Sequence, residues 1–153
     1  SEPVFLLEPE TYMNRSGPAV REFLAYFGPW DGPRLPVGLT DSLLVVHDDL
    51  DLEEGRLRFR ARGASGGHRG VASLIEALST EDFSRLKVGI GRRADAEAAD
   101  YVLENVSGEE EKRLVEVSSR AAGTLPLWIR EGTSACANRF NRADFGTQSK
   151  ETQ

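Results

Sequence analysis

The sequence has a single cysteine and no long apolar run. Cys136 can form neither an internal disulfide nor a cysteine metal cage, which fits a reducing compartment such as the cytosol. Residues 1–12 contain no positive segment that leads into an apolar stretch and a cleavage site, and no 18 consecutive residues are apolar. We therefore expect an untargeted cytoplasmic protein without a membrane span, in which Cys136 is an ordinary buried residue of a late helix.

Acidic residues outnumber basic ones, which argues against a protein that coats nucleic acid nonspecifically. The 153 residues contain 19 Lys and Arg against 25 Asp and Glu, for a formal net charge of −6. The acids gather in residues 95–100 and 109–111, whereas residues 56–69 contain five arginines and no acid. The distribution therefore leaves room for a local cationic site on an acidic body.

The length and composition predict one domain. With 39% hydrophobic residues, 153 residues suffice to cover one sheet with helices. The sequence shows no internal repeat, and its only stretch rich in proline and glycine, residues 28–38, is short enough to be one loop. We predict a single domain over residues 1–145, followed by a polar tail over residues 146–153.

Two elements are predicted before the proline-rich loop. Residues 4–9 (VFLLEP) indicate a short strand that Pro9 stops. An amphipathic helix follows, with Ser16 able to cap its start and Gly28 at its end. Its apolar positions keep the i, i+3, i+4, i+7 spacing: Val20, Phe23, Leu24 and Phe27.

The next two segments have the patterns of strands. Four apolar residues, 43–46, precede His47, Asp48 and Asp49, which predicts a strand buried on both faces whose carboxyl end reaches a surface. Residues 56–62 alternate arginine with apolar residues and predict an amphipathic strand near an edge, joined to the first by a hairpin-like step.

The remaining pattern completes an α/β fold. Residues 71–78 have helical apolar spacing, and residues 84–91 indicate a third core strand. Ser107 and Glu110 form a capping box for a long helix that ends near Gly132 and is bent or interrupted at Pro126. We predict a three-layer α/β domain with a mixed sheet and helices on both faces, in which ligands bind beyond the carboxyl ends of the strands.

Four clusters contain residues that could carry chemistry, and each has an ordinary structural explanation. Asn14 and Ser16 in TYMNRSG (11–17) could cap a helix, and the acids of VHDDLDL (46–52) could form a solvated turn. The glycine-rich segment RGASGGHRG (62–70) lacks the dinucleotide spacing and the phosphate-loop lysine. The fourth cluster is RLKVGIG (85–91).

Ester hydrolysis at neutral pH requires a histidine base and a carboxylate that fixes its tautomer. The chain has only two histidines, His47 and His68. His47 and Asp48 cannot form a dyad by adjacency, because neighbours on a strand point to opposite faces. His68 is the one flexible candidate, and its simplest role is to hold the glycine-rich loop.

Taken in order, the clusters resemble the bacterial peptidyl-tRNA hydrolases through essentially the whole chain, with YVLENVSGEE (101–110) and ANRFN (137–141) completing the match. The resemblance implies an enzyme that cleaves the ester bond between peptide and tRNA in peptidyl-tRNA. It further implies a cytoplasmic protein, mostly monomeric, that needs no metal or cofactor.

The resemblance also assigns roles to residues. Asp48 matches the aspartate that orients the catalytic histidine, and Asn14 matches the asparagine that helps to hold the substrate and the attacking water. The other substrate-binding and tRNA-binding positions, as the resemblance implies them, are Tyr12, Met13, Gly66, His68, Arg69, Arg60 and Lys87. Among these, Arg60 and Lys87 fall where the family places a cationic clamp for the tRNA 5′ phosphate, and Tyr12 and Met13 line the cleft.

The sequence departs from the family pattern twice. Arg69 stands where the family has an asparagine, and arginine has no acceptor with which to reproduce an amide. The family's catalytic histidine motif, which precedes TYMNRSG, has no counterpart here. We therefore expect an N-terminally incomplete member whose 153 residues alone do not hydrolyse the ester. A noncatalytic RNA-binding relative is the alternative; an unrelated nucleotide-binding module explains none of the motif order.

Overall fold

The computed structural model describes residues 2–28, 30, 32–91 and 108–141. The chain divides into two compact units, one of residues 1–40 and 62–83 and the other of residues 41–61 and 84–153. Because the chain passes between the units after residues 40, 61 and 83, neither unit is a continuous segment. The single domain over residues 1–145 stays a prediction, and the tail over residues 146–153 lies outside the described residues.

The first unit is helical. A 3-10 turn, Met13–Arg15, leads into α1, Ser16–Phe27; α2 is the short helix Val37–Thr40, and α3 is Arg69–Leu78. The apolar spacing therefore predicted α1 and α3 correctly. These two helices approach closely, since the Gly17 N–H donates to Ser73 Oγ at 2.9 Å. A Cβ on Gly17 would lie only 2.0 Å from the Ser73 carbonyl oxygen, so this approach requires glycine.

Arg21 fastens the loop after α1 to both long helices of this unit. Its guanidinium donates to the carbonyl oxygens of Ala77, at 2.8 Å, and of Gly32, at 2.9 Å. It also lies over the ring of Trp30, 5.0 Å from the centroid. The Leu35 N–H donates to the Leu78 carbonyl oxygen at 3.0 Å. The loop is thus tied to the end of α3 by polar bonds to backbone carbonyls.

The strand predicted over residues 4–9 is wrong. Residues 2–10 have no regular secondary structure, and Leu6 is 88% exposed. A strand needs a neighbour for its N–H and C=O groups, and none of the described strands pairs with this segment. Phe5 instead packs on α1, with ring centroids 5.5 Å from Phe23 and 5.9 Å from Phe27.

The second unit contains a mixed three-stranded sheet, as predicted. Its strands are β1, Leu44–Asp49; β2, Leu57–Arg60; and β3, Ser84–Gly89. Their order is β1-β3-β2, with β3 parallel to β1 and antiparallel to β2. The predicted hairpin-like step is therefore wrong, because β3 lies between the two strands. β3 is the most buried of the three strands, as expected for the strand with a neighbour on each side.

Burial on both faces was wrongly predicted for β1. Val46 is 51% exposed, because β1 pairs only with β3 and forms one edge of the described sheet. β2 forms the other edge, as the arginine alternation predicted. Its apolar side is buried, with Leu57 at 9% and Phe59 at 1% exposure.

Helix α4, Gly108–Phe140, covers one face of this sheet. Its core residues pack against the apolar side of β2 and β3: Val117, Ala121, Leu127 and Cys136. The helix is broken at Gly132, whose φ of 82° and ψ of −175° are not helical, so its long first part ends there as predicted. The interruption predicted at Pro126 is wrong, because Pro126 lies inside the helix. Ser107, the predicted cap, lies outside the described residues, and Cys136 is fully buried as expected.

Asn141 joins the end of α4 to the outer edge of β2. Its Nδ2 donates to the Phe59 carbonyl oxygen at 3.0 Å, and its Oδ1 accepts from the Phe59 N–H at 2.8 Å. The side-chain amide therefore makes the two bonds that a neighbouring strand would make to Phe59.

Candidate functional site

The nine residues predicted for the site divide between the two units. Six of them belong to the first unit: Tyr12, Met13, Asn14, Gly66, His68 and Arg69. Asp48, Arg60 and Lys87 belong to the second. Within each unit, the structure shows which side chains share a surface and which are committed to local contacts.

In the first unit, the 3-10 turn packs against the start of α3. Gly70 is buried there, and a Cβ on it would lie 2.7 Å from Met13 Sδ and 3.0 Å from His68 Cε1. The missing side chain therefore lets Met13 and His68 meet over the helix start. Asn14, the next residue of the turn, is exposed beside this contact, and so is Tyr12, at 85%.

The capping role considered for Asn14 and Ser16 is not observed. The N-cap residue of α1 is Arg15, and its side chain makes no capping hydrogen bond. Ser16 is already the first residue of the helix, and its Oγ donates to the Met13 carbonyl oxygen at 2.9 Å. The exposed amide of Asn14 therefore does not serve the helix start.

The glycine-rich loop makes an exposed, sharply turned entry to α3. Gly66 and Gly67 have φ values of 59° and 86°, in the left-handed region that favours glycine. A Cβ at either position would meet no atom within 4 Å, so conformation and not crowding requires glycine. Arg69, the first residue of α3, is exposed at the end of this loop.

His68 holds the glycine-rich loop, which was its simplest predicted role. It is the N-cap residue of α3, and its Nδ1 accepts a hydrogen bond from the Val71 N–H at 3.1 Å. An accepting Nδ1 carries no hydrogen, so the neutral ring carries its proton on Nε2. A general base needs a free nitrogen lone pair, and the lone pair of Nδ1 already accepts the hydrogen bond from the Val71 N–H at the start of α3.

His47 is also committed to a local contact. Its Nδ1 lies 2.7 Å from the Asp48 carbonyl oxygen. A carbonyl only accepts, so Nδ1 carries the hydrogen and the remaining lone pair belongs to Nε2 in the neutral ring. That Nε2 is buried, which keeps it from a water molecule or an ester in solution.

The two acids at the end of β1 have different surroundings. Asp48 is on the same face as Val46, towards α4, by the alternation of the strand. Asp49 accepts from the Asp51 N–H at 2.8 Å through Oδ1 and lies 3.6 Å from Lys87 Nζ through Oδ2. The hydrogen bond to Asp51 is the turn contact that the sequence suggested for this pair of acids. The ion pair between Asp49 and Lys87 was not predicted.

A cleft lies on the face of the sheet that carries Asp48. It is lined by apolar and small side chains of β1, β3 and α4: Val46, Leu86, Val88, Ser118, Ala121, Ala122 and Leu125. This cleft could not be predicted from the sequence, because it depends on how α4 crosses the strands. These side chains form an apolar surface, and Asp48 lies past its edge, near the carboxyl end of β1.

The other face of the sheet is cationic. Arg58 lies opposite Lys87 and Arg60 opposite Arg85 in the antiparallel register, which makes Arg60 and Lys87 diagonal neighbours about 7–8 Å apart. Arg60 is exposed, Lys87 is half-buried and Arg85 is only 1% exposed. The predicted clamp residues therefore share one surface, to which the half-buried Arg58 adds a cation that the sequence analysis did not single out as functional.

The described part of the chain lacks the features of a metal site and of a membrane span. It contains no group of three or more His, Cys, Asp or Glu side chains placed to hold a metal ion. None of its helices combines the length and the apolar character that crossing a membrane requires.

Comparisons with known proteins agree with this arrangement. A family model described as peptidyl-tRNA hydrolase matches residues 1–150. The peptidyl-tRNA hydrolase of Shouchella clausii is 43% identical over 142 residues, which cover 92% of this chain and 72% of the relative. That of Carboxydothermus hydrogenoformans is 42% identical over 139 residues, with coverage of 91% and 70%.

Solved structures give the same result. The crystal structure of peptidyl-tRNA hydrolase from Acinetobacter baumannii matches with a TM-score of 0.70 at 26% identity, covering 88% of this chain and 64% of that one. The chain thus spans 64% of this solved chain and 70–72% of the two curated relatives. The family match over residues 1–150, the identities above 40% and the shared fold together show that the chain belongs to the peptidyl-tRNA hydrolase family.

Proposed function

We propose that this protein hydrolyses the ester bond between the peptide and the tRNA of peptidyl-tRNA and releases free tRNA during translation. The observation that carries the proposal is the family match over residues 1–150, which includes all nine site positions. The substrate and partner is then peptidyl-tRNA, and we place the protein in the cytoplasm as a monomer.

In this reaction, water adds to the ester carbonyl carbon and the bond to the oxygen of the terminal ribose breaks. The proton that a base takes from the water passes to that ribose oxygen. Asn14 suits the role of holding the substrate and the water, because its amide is exposed and does not cap α1. Asp48 suits the role of orienting a histidine, since it lies near the carboxyl end of β1 on the face that carries the apolar cleft, while Asp49 forms the turn.

The base itself is proposed to be absent from these 153 residues. Two observations support this: His68 uses Nδ1 to cap α3, and the Nε2 of His47 is buried. Neither ring can take a proton from water without giving up its present contact or its burial. We therefore propose that the 153-residue chain alone binds tRNA but does not cleave the ester, which is also how a noncatalytic RNA-binding relative would behave.

Arg60 and Lys87 are proposed to bind the tRNA 5′ phosphate. Their position on one face of the sheet supports the role, because two cations about 7–8 Å apart can bind the same phosphate from two sides. The Asp49 carboxylate, 3.6 Å from Lys87 Nζ, competes with that phosphate. Removing Arg60 and Lys87 together should flatten the salt dependence of tRNA binding by up to about 0.9 in log–log slope, because the two side chains share one phosphate.

A chimera tests the catalytic proposal. The N-terminal segment of the Shouchella clausii relative, in which the resemblance places the histidine motif, is joined ahead of residue 1, and hydrolysis of N-acetyl-aminoacyl-tRNA is measured. We expect turnover from the chimera and none from the 153-residue chain. In the chimera, Asp48→Asn should lower kcat at least roughly tenfold and leave the Kd for tRNA within about twofold, because the histidine loses the carboxylate that orients it.

Asp41→Asn is the matched control, since Asp41 is an exposed acid of the same unit just before β1. It should change neither kcat nor Kd. A folded chimera that binds tRNA without turnover would leave the noncatalytic RNA-binding alternative in place of the hydrolase. Equal rates for Asp48→Asn and Asp41→Asn would remove Asp48 from the mechanism.

A further inference from the structure

One carboxylate lies on the cationic face of the sheet, beside a residue of the proposed phosphate clamp. In the parallel register of β1 and β3, His47 lies opposite Lys87, so Asp49, two residues further along β1, is on the same face as Lys87. Its Oδ2 lies 3.6 Å from Lys87 Nζ, and its Oδ1 accepts from the Asp51 N–H at 2.8 Å. The turn after β1 therefore holds this carboxylate next to the ammonium group.

This ion pair is largely withdrawn from water. The side chains of Lys87 and Asp49 are 24% and 19% exposed, against 53% and 46% for the surface pair of Arg113 and Glu54. Water therefore screens the attraction between Lys87 and Asp49 less than that of the surface pair. Arg60, the other proposed clamp residue, forms no ion pair with any residue that the structure describes. The protein itself thus neutralises one of the two clamp cations and leaves the other uncompensated.

A neutralised cation matters because the phosphate that the clamp binds does not change in the reaction. Hydrolysis breaks the ester at the terminal ribose, so the 5′ phosphate is present both in the substrate and in the released tRNA. Clamp contacts therefore stabilise substrate and product equally. Uniform binding of this kind lowers KM without raising kcat, and tight product binding slows turnover. A clamp with two uncompensated cations would hold the product as tightly as the substrate.

We propose that Asp49 is an internal counter-ion that limits how tightly the clamp holds tRNA and thereby speeds release of the product. The inference rests on the proposed function, which assigns Arg60 and Lys87 to the tRNA 5′ phosphate. On binding, phosphate oxygens replace the Asp49 carboxylate beside Lys87. On release, the carboxylate, still held by the Asp51 N–H, takes their place again. Asp49 acts through Lys87, so it is a positioning residue and not a catalytic one.

The experiment measures the Kd and the dissociation rate of deacylated, 5′-phosphorylated tRNA with the full 153-residue chain, using fluorescent tRNA and a chase of unlabelled tRNA. Asp49→Asn removes the charge but keeps an oxygen that can accept from the Asp51 N–H. It should lower the Kd roughly three- to tenfold, the effect of one partly screened charge pair, mainly through slower dissociation. A merely structural role predicts the opposite sign, because a loosened turn would weaken binding.

Three controls separate the clamp from general attraction of a polyanion. For tRNA that ends in a 5′-hydroxyl after phosphatase treatment, Asp49→Asn should change the Kd by less than about twofold, because no phosphate then reaches Lys87. In a Lys87→Met background, Asp49→Asn should lose most of its effect, since the two residues act as a pair. Glu53→Gln removes the charge of an exposed acid in the same loop and should change the Kd by less than about twofold.

The outcomes are distinguishable. If Lys87→Met weakens tRNA binding but Asp49→Asn does not tighten it or slow dissociation, this inference falls and the proposed clamp stands. An equal gain from Asp49→Asn with the 5′-hydroxyl tRNA would also overturn it, because the carboxylate would then repel the tRNA as a whole. If Lys87→Met binds tRNA as tightly as the wild-type chain, or the wild-type chain binds no tRNA, the clamp of the proposed function falls and the inference falls with it.

Discussion

Gly17→Ala should destabilise the first unit, although alanine is the better helix former. An added Cβ would lie 2.0 Å from the Ser73 carbonyl oxygen, 2.5 Å from its carbonyl carbon and 2.8 Å from its Oγ. Heavy atoms in contact ordinarily lie roughly 3.5 Å apart. The close atoms belong mainly to the α3 backbone, so the clash cannot be relieved by a side-chain rotation and α1 must move away by more than about 1 Å.

The expected loss is about 1–3 kcal/mol. Overpacking of a close contact costs about 1–3 kcal/mol, and separating the helices also breaks the Gly17–Ser73 hydrogen bond, worth about 1 kcal/mol. Helix propensity returns at most about 1 kcal/mol. The net effect of Gly17→Ala on the free energy of unfolding is therefore still a loss. Because Gly17 closely follows Asn14 and Arg15 in the chain, the movement of α1 would also displace the exposed 3-10 turn.

Urea unfolding can measure this in the affected unit, because each unit contains one tryptophan. Trp30 is buried in the first unit and Trp128 is half-buried in the second. In a Trp128→Phe background, the fluorescence of Trp30 reports the first unit alone. With a slope of about 1–3 kcal/mol per molar urea, a loss of about 1–3 kcal/mol should lower the urea midpoint by about 0.3–3 M.

Gly123→Ala is the matched control. Gly123 lies inside α4, and a Cβ on it would meet no atom within 4 Å. Alanine should therefore stabilise the helix by about 0.5–1 kcal/mol, observed through Trp128. An unchanged or raised midpoint for Gly17→Ala, seen through Trp30, would refute the reasoning from the α1–α3 approach.

Three further predictions concern other parts of the chain. Asn141→Ala should cost about 1–3 kcal/mol in urea unfolding, because both backbone groups of Phe59 lose a partner, and Asn141→Asp should recover only part of this because a carboxylate accepts but does not donate. Arg21→Met should lower the free energy of unfolding by about 2 kcal/mol and red-shift the emission of Trp30, since two hydrogen bonds and the ring contact disappear. Burial raises the pKa of the Cys136 thiol, so a disulfide reagent should react slowly near pH 8 until urea unfolds the chain. Stability should also fall as pH rises above the ordinary thiol pKa, because only the unfolded chain then releases the proton, and Cys136→Ser should remove that part of the pH dependence.

The sequence predicted best the elements whose pattern is local. The 3.6-residue spacing predicted α1 and α3, and the alternation of arginine with apolar residues predicted β2 at an edge, because each pattern depends only on neighbours in the chain. The place of β3 between β1 and β2 was not predictable in this way, since strand order depends on partners distant in sequence. The end of the long helix near Gly132 was predicted correctly, because the backbone leaves the helical conformation there, whereas the interruption expected at Pro126 does not occur.

For the candidate site, the residues chosen from the sequence remain predictions, and the structure adds what surrounds them. Motif order selected Asn14 and Asp48, and the structure shows that neighbouring residues perform the ordinary structural roles. Asp49 forms the turn after β1, and His68 caps α3. The role of Arg21 could not be predicted, because its acceptors are backbone carbonyls, which carry no residue-specific signal in a sequence.

The bonds between Asn141 and Phe59 also constrain the order in which the second unit can be completed. They join residues 82 positions apart, and closing so long a loop costs entropy that has to be met before the bonds form. During synthesis, β1, β2 and β3 leave the ribosome well before residue 141, so the outer edge of β2 stays uncovered in the nascent chain. An uncovered edge can pair with another chain, so the nascent chain is open to aggregation at this edge until residue 141 has emerged.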